Sequence, residues 1–331
     1  MLTTLERFGR IGVARGACAW DGELQQIVAI VTRFFSDFNG NGFYPHPDEQ
    51  AIQRELLALP MLGELARSIG ASGVGGLAIT ELGLSALAES DRNAVLYAIA
   101  LCLGFPTSTD QRTRRVAWDV RAKPQPAGAE ARFVTFSERT GSADMHTDSS
   151  FYPMPEEQFL LYVVSAARCN GGASLLIDVE DIEEQLLRSE AGRAAFDLLL
   201  DTPLPFRVPS VYSAGDNQVE LFMAPVFRRT EPGAVLTMRW RYDSIVKGLA
   251  ARPSLSSPAL LAALELVNQV VEQHAPRFQR QLPSDTLLWA DNHRTLHGRG
   301  DYSDADRHLI RIRISSTPNA LRVGPSGVAA D

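Results

Sequence analysis

The chain has 331 residues, 45% of them hydrophobic, enough to bury a sizeable core as one elaborated enzyme domain. A net charge of −7 and an isoelectric point near 5.5, with 32 basic residues spread along the sequence, exclude the electrostatic footprint of a nucleic-acid binder or of a protein held on an anionic membrane. Cys18, Cys102 and Cys169 are odd in number and form no Cys-x-x-Cys pair, which argues against a disulfide framework or zinc knuckle and for free thiols in a reducing, cytoplasmic setting.

Met1 to Ala19 mixes Glu6, Arg7, Arg10 and Arg15 with apolar residues and lacks the apolar region of a secretory signal. No apolar run approaches the ~20 residues of a membrane span. The first hundred residues read as helical. Leu24, Ile27, Val28, Ile30, Val31, Phe34 and Phe35 recur at three- and four-residue spacing after Asp21, and Asn39-Gly40-Asn41-Gly42 is the expected stop. Further helical stretches are expected over 48–70 and 86–103, separated by the glycine-rich segment 70–76. That segment lacks both the Lys-Ser/Thr ending of a phosphate loop and a dinucleotide spacing, so it reads as a turn.

From about residue 115 the pattern changes to short β-rich runs: Arg115–Val120, Ala131–Phe136, Phe159–Ala166, Ser174–Asp178, Gln218–Phe222, Leu287–Ala290 and Arg307–Ser315. Helical patterns interrupt them near Val179–Leu200 and Pro258–His274. Strands spaced this way predict a mainly β chain: a double-stranded β-helix, or jelly roll, packed by N-terminal and inserted helices, rather than alternating βαβ units. The expected organisation is a single domain over 1–331, with a helical part at 1–110 and a jelly-roll catalytic core at 115–318.

The most informative string is Asp144-Met145-His146-Thr147-Asp148, because a His and an Asp two apart on an extended strand point to the same side and can bind one ion. A second His would complete the two-His-one-carboxylate set that suits iron(II), which leaves adjacent positions open. His297 and His293, in Asp291-Asn292-His293-Arg294-Thr295-Leu296-His297-Gly298-Arg299, are the candidates. A strand then carries Arg307, Leu309, Arg311 and Arg313 on one face, and a buried row of arginines needs anionic partners. A dicarboxylate would supply one, held bidentately by a guanidinium.

These residues resemble the taurine dioxygenase and clavaminate synthase (TauD/TfdA) group of 2-oxoglutarate-dependent oxygenases over about 130–315. The resemblance rests on His146-x-Asp148, Gly171-Gly172-Ala173-Ser174, Trp289-x-Asp291-Asn292-x-Arg294-x-x-His297-Gly298-Arg299 and Arg307-x-x-x-Arg311, in matching order. It implies an iron(II) site of His146, Asp148 and His297, and a 2-oxoglutarate site in which Ser174 and Arg307 hold the distal carboxylate. Arg311 is implied to reach a substrate anion, although the variable loop before these arginines allows the two to exchange roles. The implied reaction consumes dioxygen and 2-oxoglutarate, releases succinate and carbon dioxide, and oxidises an unactivated C–H bond. Hydroxylation is the default outcome, with desaturation or cyclisation as variants, and an acidic residue at 148 argues against halogenation.

The expected partner is a small anionic substrate, an amino acid or derivative of specialised metabolism, free or carrier-tethered; a homo-oligomer is compatible, nucleic acid and membrane are not. Arg311, Glu138, Arg239 and Arg241 are the candidate substrate contacts. Glu138 would hold an amine, whereas Arg239-Trp240-Arg241-Tyr242 reads equally as pocket wall or as strand with solvated arginines. Arg299 is left between a role behind the metal and a surface charge. His46, His274 and His308 read as structural. Two rivals remain: a cupin-type metal enzyme that does not use 2-oxoglutarate, which would need neither Ser174 nor Arg307, and a non-catalytic jelly-roll ligand-binding protein, which would need no intact iron triad.

Overall fold

The computed structural model describes residues 2–16, 20, 22–35, 43–109, 114–123, 136–209, 219–231 and 233–322. It begins with a β-hairpin, β1 (Leu2–Phe8) and β2 (Ile11–Gly16), turned at Gly9, whose φ of +62° suits glycine. Three helices follow, α1 (Glu23–Phe34), α2 (Glu49–Leu57) and α3 (Pro60–Gly70), then β3 (Gly76–Thr80) and α4 (Glu89–Leu103). The expectation that the first hundred residues are helical is therefore corrected: β1, β2 and β3 lie within them. Gly12 and Gly16 and the charged residues of the hairpin mask its strand pattern, and β2 is fixed by a parallel pairing to β3 sixty residues away that no local window contains. The stretch 48–70 is likewise two helices, because Pro60 offers no N–H to continue the first and opens the second. The expected stop at 39–42 and most of the strand at 131–136 lie outside the described residues.

The remaining elements are β4 (Phe105–Pro106), β5 (Trp118–Val120), β6 (Ala143–His146), β7 (Gln158–Ser165), β8 (Ser174–Asp178), α5 (Val179–Leu186), α6 (Glu190–Asp201), β9 (Leu204–Arg207), β10 (Leu221–Ala224), β11 (Phe227–Arg228), β12 (Thr237–Met238), α7 (Tyr242–Ala251), α8 (Pro258–Gln269), β13 (Phe278–Arg280), β14 (Thr286–Asp291), β15 (Thr295–Arg299) and β16 (His308–Ser315). The helical pattern at 179–200 divides into α5 and α6 where the Ser189 hydroxyl accepts from the Gly192 N–H and starts a new helix.

Two sheets form the jelly roll. The larger has the order β1-β2-β3-β14-β7-β16-β4, with β5 also paired to β16; the smaller runs β13-β8-β15-β6. They face each other through apolar side chains: Leu176 of β8 and Phe278 of β13 pack against Ala78, Val163, Leu288 and Leu309 of the larger sheet. α1 to α4 cover the outer side of the larger sheet, where Ile27, Val31, Tyr97 and Leu101 meet Leu160, Tyr162, Leu287 and Ile312. α5, α6 and α8 enclose a second core with Ile177, Leu296 and Trp240 at the back of the smaller sheet. Both sheets are thus backed by helices, and the open space between them lies at the end where β6, β8, β15 and β16 converge. Among the described residues no helix is long and apolar enough to cross a membrane.

Candidate active site

β6 ends at His146, and β15 lays His297 directly opposite it in the ladder. Antiparallel pairing sets the two imidazoles side by side, ring centroids 4.3 Å apart. The Nδ1–H of His146 is fixed toward the carbonyl of Asp144 at 2.8 Å, which leaves Nε2 with its lone pair. Asp148 follows two residues beyond. Its Oδ1 stands 3.9 Å from His146 Nε2 and 4.0 Å from His297 Nε2, and one donor atom from each of the three residues falls within 4.8 Å of the others. His293 is not part of this cluster.

The protonation states fit a divalent cation. Burial lowers both imidazoles, His146 well below its ordinary value and His297 to about 4, so both rings are neutral donors at neutral pH. Burial alone would raise Asp148, but the charges of Arg311 and Arg313 hold it well below the usual carboxylate range. Asp148 Oδ2 is buried without a hydrogen-bond partner among the described residues, a costly arrangement that coordination of this carboxylate would relieve.

Arg307, Arg311 and Arg313 follow from the alternation of β16 and line the same cavity as the three residues above, together with Ser174 at the start of β8. Arg307 is buried, stacks over Tyr302 at 5.0 Å, and donates from Nη2 to the Gly172 carbonyl at a long 3.5 Å. Its Nη1 has no partner among the described residues, and burial lowers its pKa to about 10. Arg311 is differently engaged, donating from Nη1 to Asp148 Oδ1 at 3.2 Å. Arg311 Nε, like Arg307 Nη1, is buried without a partner among the described residues, so each arginine keeps a donor that a dicarboxylate could take. Gly172 explains the glycine pair before Ser174: at φ +75° any Cβ would stand 3.0 Å from Arg307 Nε.

The candidate substrate contacts separate. Arg241 lines the cavity, with Nε 3.5 Å from Asp243 Oδ1. Arg239 does not: its guanidinium donates to the carbonyls of Ser150 and Tyr152 at 3.1 and 2.5 Å and covers the Phe222 ring. Glu138 is also absent from the lining and is paired with Lys123 Nζ at 2.7 Å. Strict alternation would put residues 239 and 241 on one side; they part company because β12 has ended at Met238 and Arg241 is already the N-cap of α7. Arg299 lines the cavity and donates to the carbonyls of Gly141 and Arg139. His308 bonds Asp119 at 2.7 Å on the other face of β16.

A match to the model of the taurine catabolism dioxygenase TauD, TfdA family runs over residues 64–313. The chain belongs to this family. As a TauD/TfdA-family protein it is an iron(II)- and 2-oxoglutarate-dependent dioxygenase. No curated protein matches its sequence. Its fold is shared with an asparagine oxygenase solved with Fe(II), 2S,3S-3-hydroxyasparagine and succinate, at a TM-score of 0.67 and 17% identity over 93% of this chain and 94% of the other. The non-heme iron oxygenase OrfP, solved with Fe and alpha-ketoglutaric acid, superposes at a TM-score of 0.61 and 14% identity over 96% and 99% of the two chains.

Two residues of this TauD/TfdA-family site had no role in the sequence. Asn292, in the β14–β15 turn, accepts from the Asp148 N–H at 2.7 Å and donates to the carbonyls of Asp148 and Glu156 at 3.1 and 2.8 Å. Glu156 is a buried carboxylate that accepts from the hydroxyls of Thr107 and Ser149 and faces Arg313 and Arg322 at 3.7 and 3.3 Å. The signal for Asn292 was its place in an Asp-Asn turn closing an apolar strand. Glu156 offered none, because its partners come from four separate segments.

Proposed function

We propose that this enzyme oxidises an unactivated C–H bond of a small amino acid or derivative, hydroxylation being the default outcome, in a cytoplasmic setting. The observation that carries the site assignment is one cavity holding two neutral imidazoles, one ionised carboxylate and, within the same walls, a buried arginine with an unspent donor. His146, Asp148 and His297 would hold iron(II), which supplies dioxygen activation coupled to decarboxylation of the co-substrate.

The protein's own residues do the rest. Arg307 offers a planar fork, and Ser174 a hydroxyl, to the distal carboxylate of 2-oxoglutarate, fixing the keto-acid end toward the metal ligands. Arg311 holds Asp148 in one rotamer and keeps it ionised. The apolar side chains of Met145, Phe151, Leu161 and Leu309 line the cavity and limit water around the reacting carbon.

The test is to add iron(II) and then 2-oxoglutarate to the protein without oxygen and follow the weak visible charge-transfer band of a chelated keto acid. The band is expected in the native protein, absent in His146→Ala, and shifted to much higher co-substrate concentration in Arg307→Ala. Iron binding without a band would overturn the site assignment in favour of a cupin-type metal site.

A further inference from the structure

The cavity does not end at the metal ligands. Its volume is about 1080 Å³, just above the ~300–1,000 Å³ usual for small-molecule sites. One of its walls is built from the end of β9, the first turns of α7 and the end of α8, with Arg207, Arg241, Lys247, Asn268 and Glu272 facing in. α8 closes this wall irregularly: Val270–His274 widen into a π turn, a distortion that recurs where helices present side chains to a site, and Glu272 lies on it.

The charge of the cavity is opposite to that of the chain. Asp and Glu outnumber Lys and Arg by 39 to 32 overall, whereas the cavity is lined by seven Lys and Arg against four carboxylates, Asp144, Asp148, Asp243 and Glu272. Four of the seven are the arginines of β15 and β16 already described. The other three, Arg207, Arg241 and Lys247, serve neither iron nor co-substrate. The carboxylates of their wall are engaged: Asp243 lies 3.5 Å from Arg241 Nε and 2.9 Å from Lys247 Nζ, and Glu272 lies 3.9 Å from Arg277. Arg207 and Lys247 are exposed, while the Arg241 side chain is 18% exposed and lines the same cavity as His146 and His297. The cations thus run from solvent inward to the metal ligands, an arrangement that draws in anions.

We propose that this wall binds an anionic group at the end of the substrate remote from the oxidised carbon, so that the substrate is an acidic amino acid or a molecule of that class. Arg241 is the anchoring contact and Arg207 and Lys247 form the entry. The proposal rests on the oxygenase reading above. A cationic side chain would meet three like charges there, and a neutral one would gain nothing from the surplus of cations over carboxylates that lines the cavity.

The experiment uses the protein with iron(II) and 2-oxoglutarate under nitrogen, where the visible band itself checks the oxygenase reading. L-Glutamate, L-aspartate, L-glutamine and L-ornithine are titrated against that band, and succinate release is then measured in air. The acids are expected to perturb the band and stimulate succinate release, with glutamine weaker by on the order of 10- to 100-fold, as loss of a charge-assisted contact implies. Arg241→Gln removes this discrimination, and Arg241→Glu shifts preference toward ornithine. Lys247→Glu, a change at an exposed side chain, lowers kcat/KM for the acids most at low salt and keeps the question answerable if the Arg241 variants fold poorly. Preference of the native protein for glutamine or ornithine, or a normal band that no acid perturbs, overturns the proposal while leaving the oxygenase intact. A band that never forms overturns the reading beneath it.

Discussion

The side-chain amide of Asn292 grips the backbone of Asp148 at both ends, accepting from its N–H and donating to its carbonyl. The carboxylate that would share the metal is thereby set by a residue on the far hairpin, not by its own strand, which has already ended at His146. Replacing Asn292 by Ala leaves three buried backbone groups unpaired, at a cost of about 2–4 kcal/mol in stability. Affinity for Co(II) or iron(II) is expected to fall about 10- to 100-fold, read by calorimetry on folded protein.

Arg307→Lys keeps the charge and loses the fork. The concentration of 2-oxoglutarate that half-saturates the visible band is expected to rise by roughly 10- to 100-fold. Iron binding measured without 2-oxoglutarate should not change; weaker iron binding would count against a role confined to the co-substrate.

Gly172→Ala tests the same arginine from the other side. A methyl group at φ +75° and 3.0 Å from Arg307 Nε strains the backbone and pushes the guanidinium, costing about 1–2 kcal/mol. Thermal unfolding should record the loss of stability and the band titration a weaker hold on 2-oxoglutarate, whereas Gly233→Ala, also at positive φ but in open space, should affect stability alone.

Asp178 caps α5 through the Glu180 N–H, yet burial pushes its carboxyl up to about 6, and its second oxygen has no hydrogen-bond partner among the described residues. A folded-state pKa above the unfolded one favours the native state while the group is protonated. That advantage is lost as pH rises through about 6. Asp178→Asn keeps the cap acceptor and removes the charge, so it should stabilise the protein by about 1–2 kcal/mol at pH 8 and by little at pH 4, seen in unfolding curves at the two pH values.

The parts legible in sequence are those in which neighbours along the chain decide the geometry. His146 and Asp148 share a side by alternation, and Arg307, Arg311 and Arg313 do so by the same rule, so a short string carried its own meaning. Arg239 and Arg241 were ambiguous because the rule, which would put them on one side, lapses where β12 ends at Met238 and α7 begins at Tyr242. The pairing of Glu138 with Lys123 is one that only the folded chain supplies. The hairpin at residues 2–16 was illegible for a related reason: β2 is held by β3 in parallel register, and its own glycines and charges give no strand signal. Asn292 stood inside a recognised motif, but its function lies in hydrogen bonds to residues 144 positions away.

Among the described residues β6 is the outermost strand of the smaller sheet, and its ladder to β15 pairs His297 with His146 and Arg299 with Ala143, with an irregularity between. A cation gripped by His146, Asp148 and His297 would therefore act as a rivet through a seam that hydrogen bonds stitch at two points. This edge of the cavity is then fastened by the reaction centre itself. Metal occupancy and the closure of that margin become one event, so the amide protons of Ala143 to His146 should exchange more slowly once Co(II) is added.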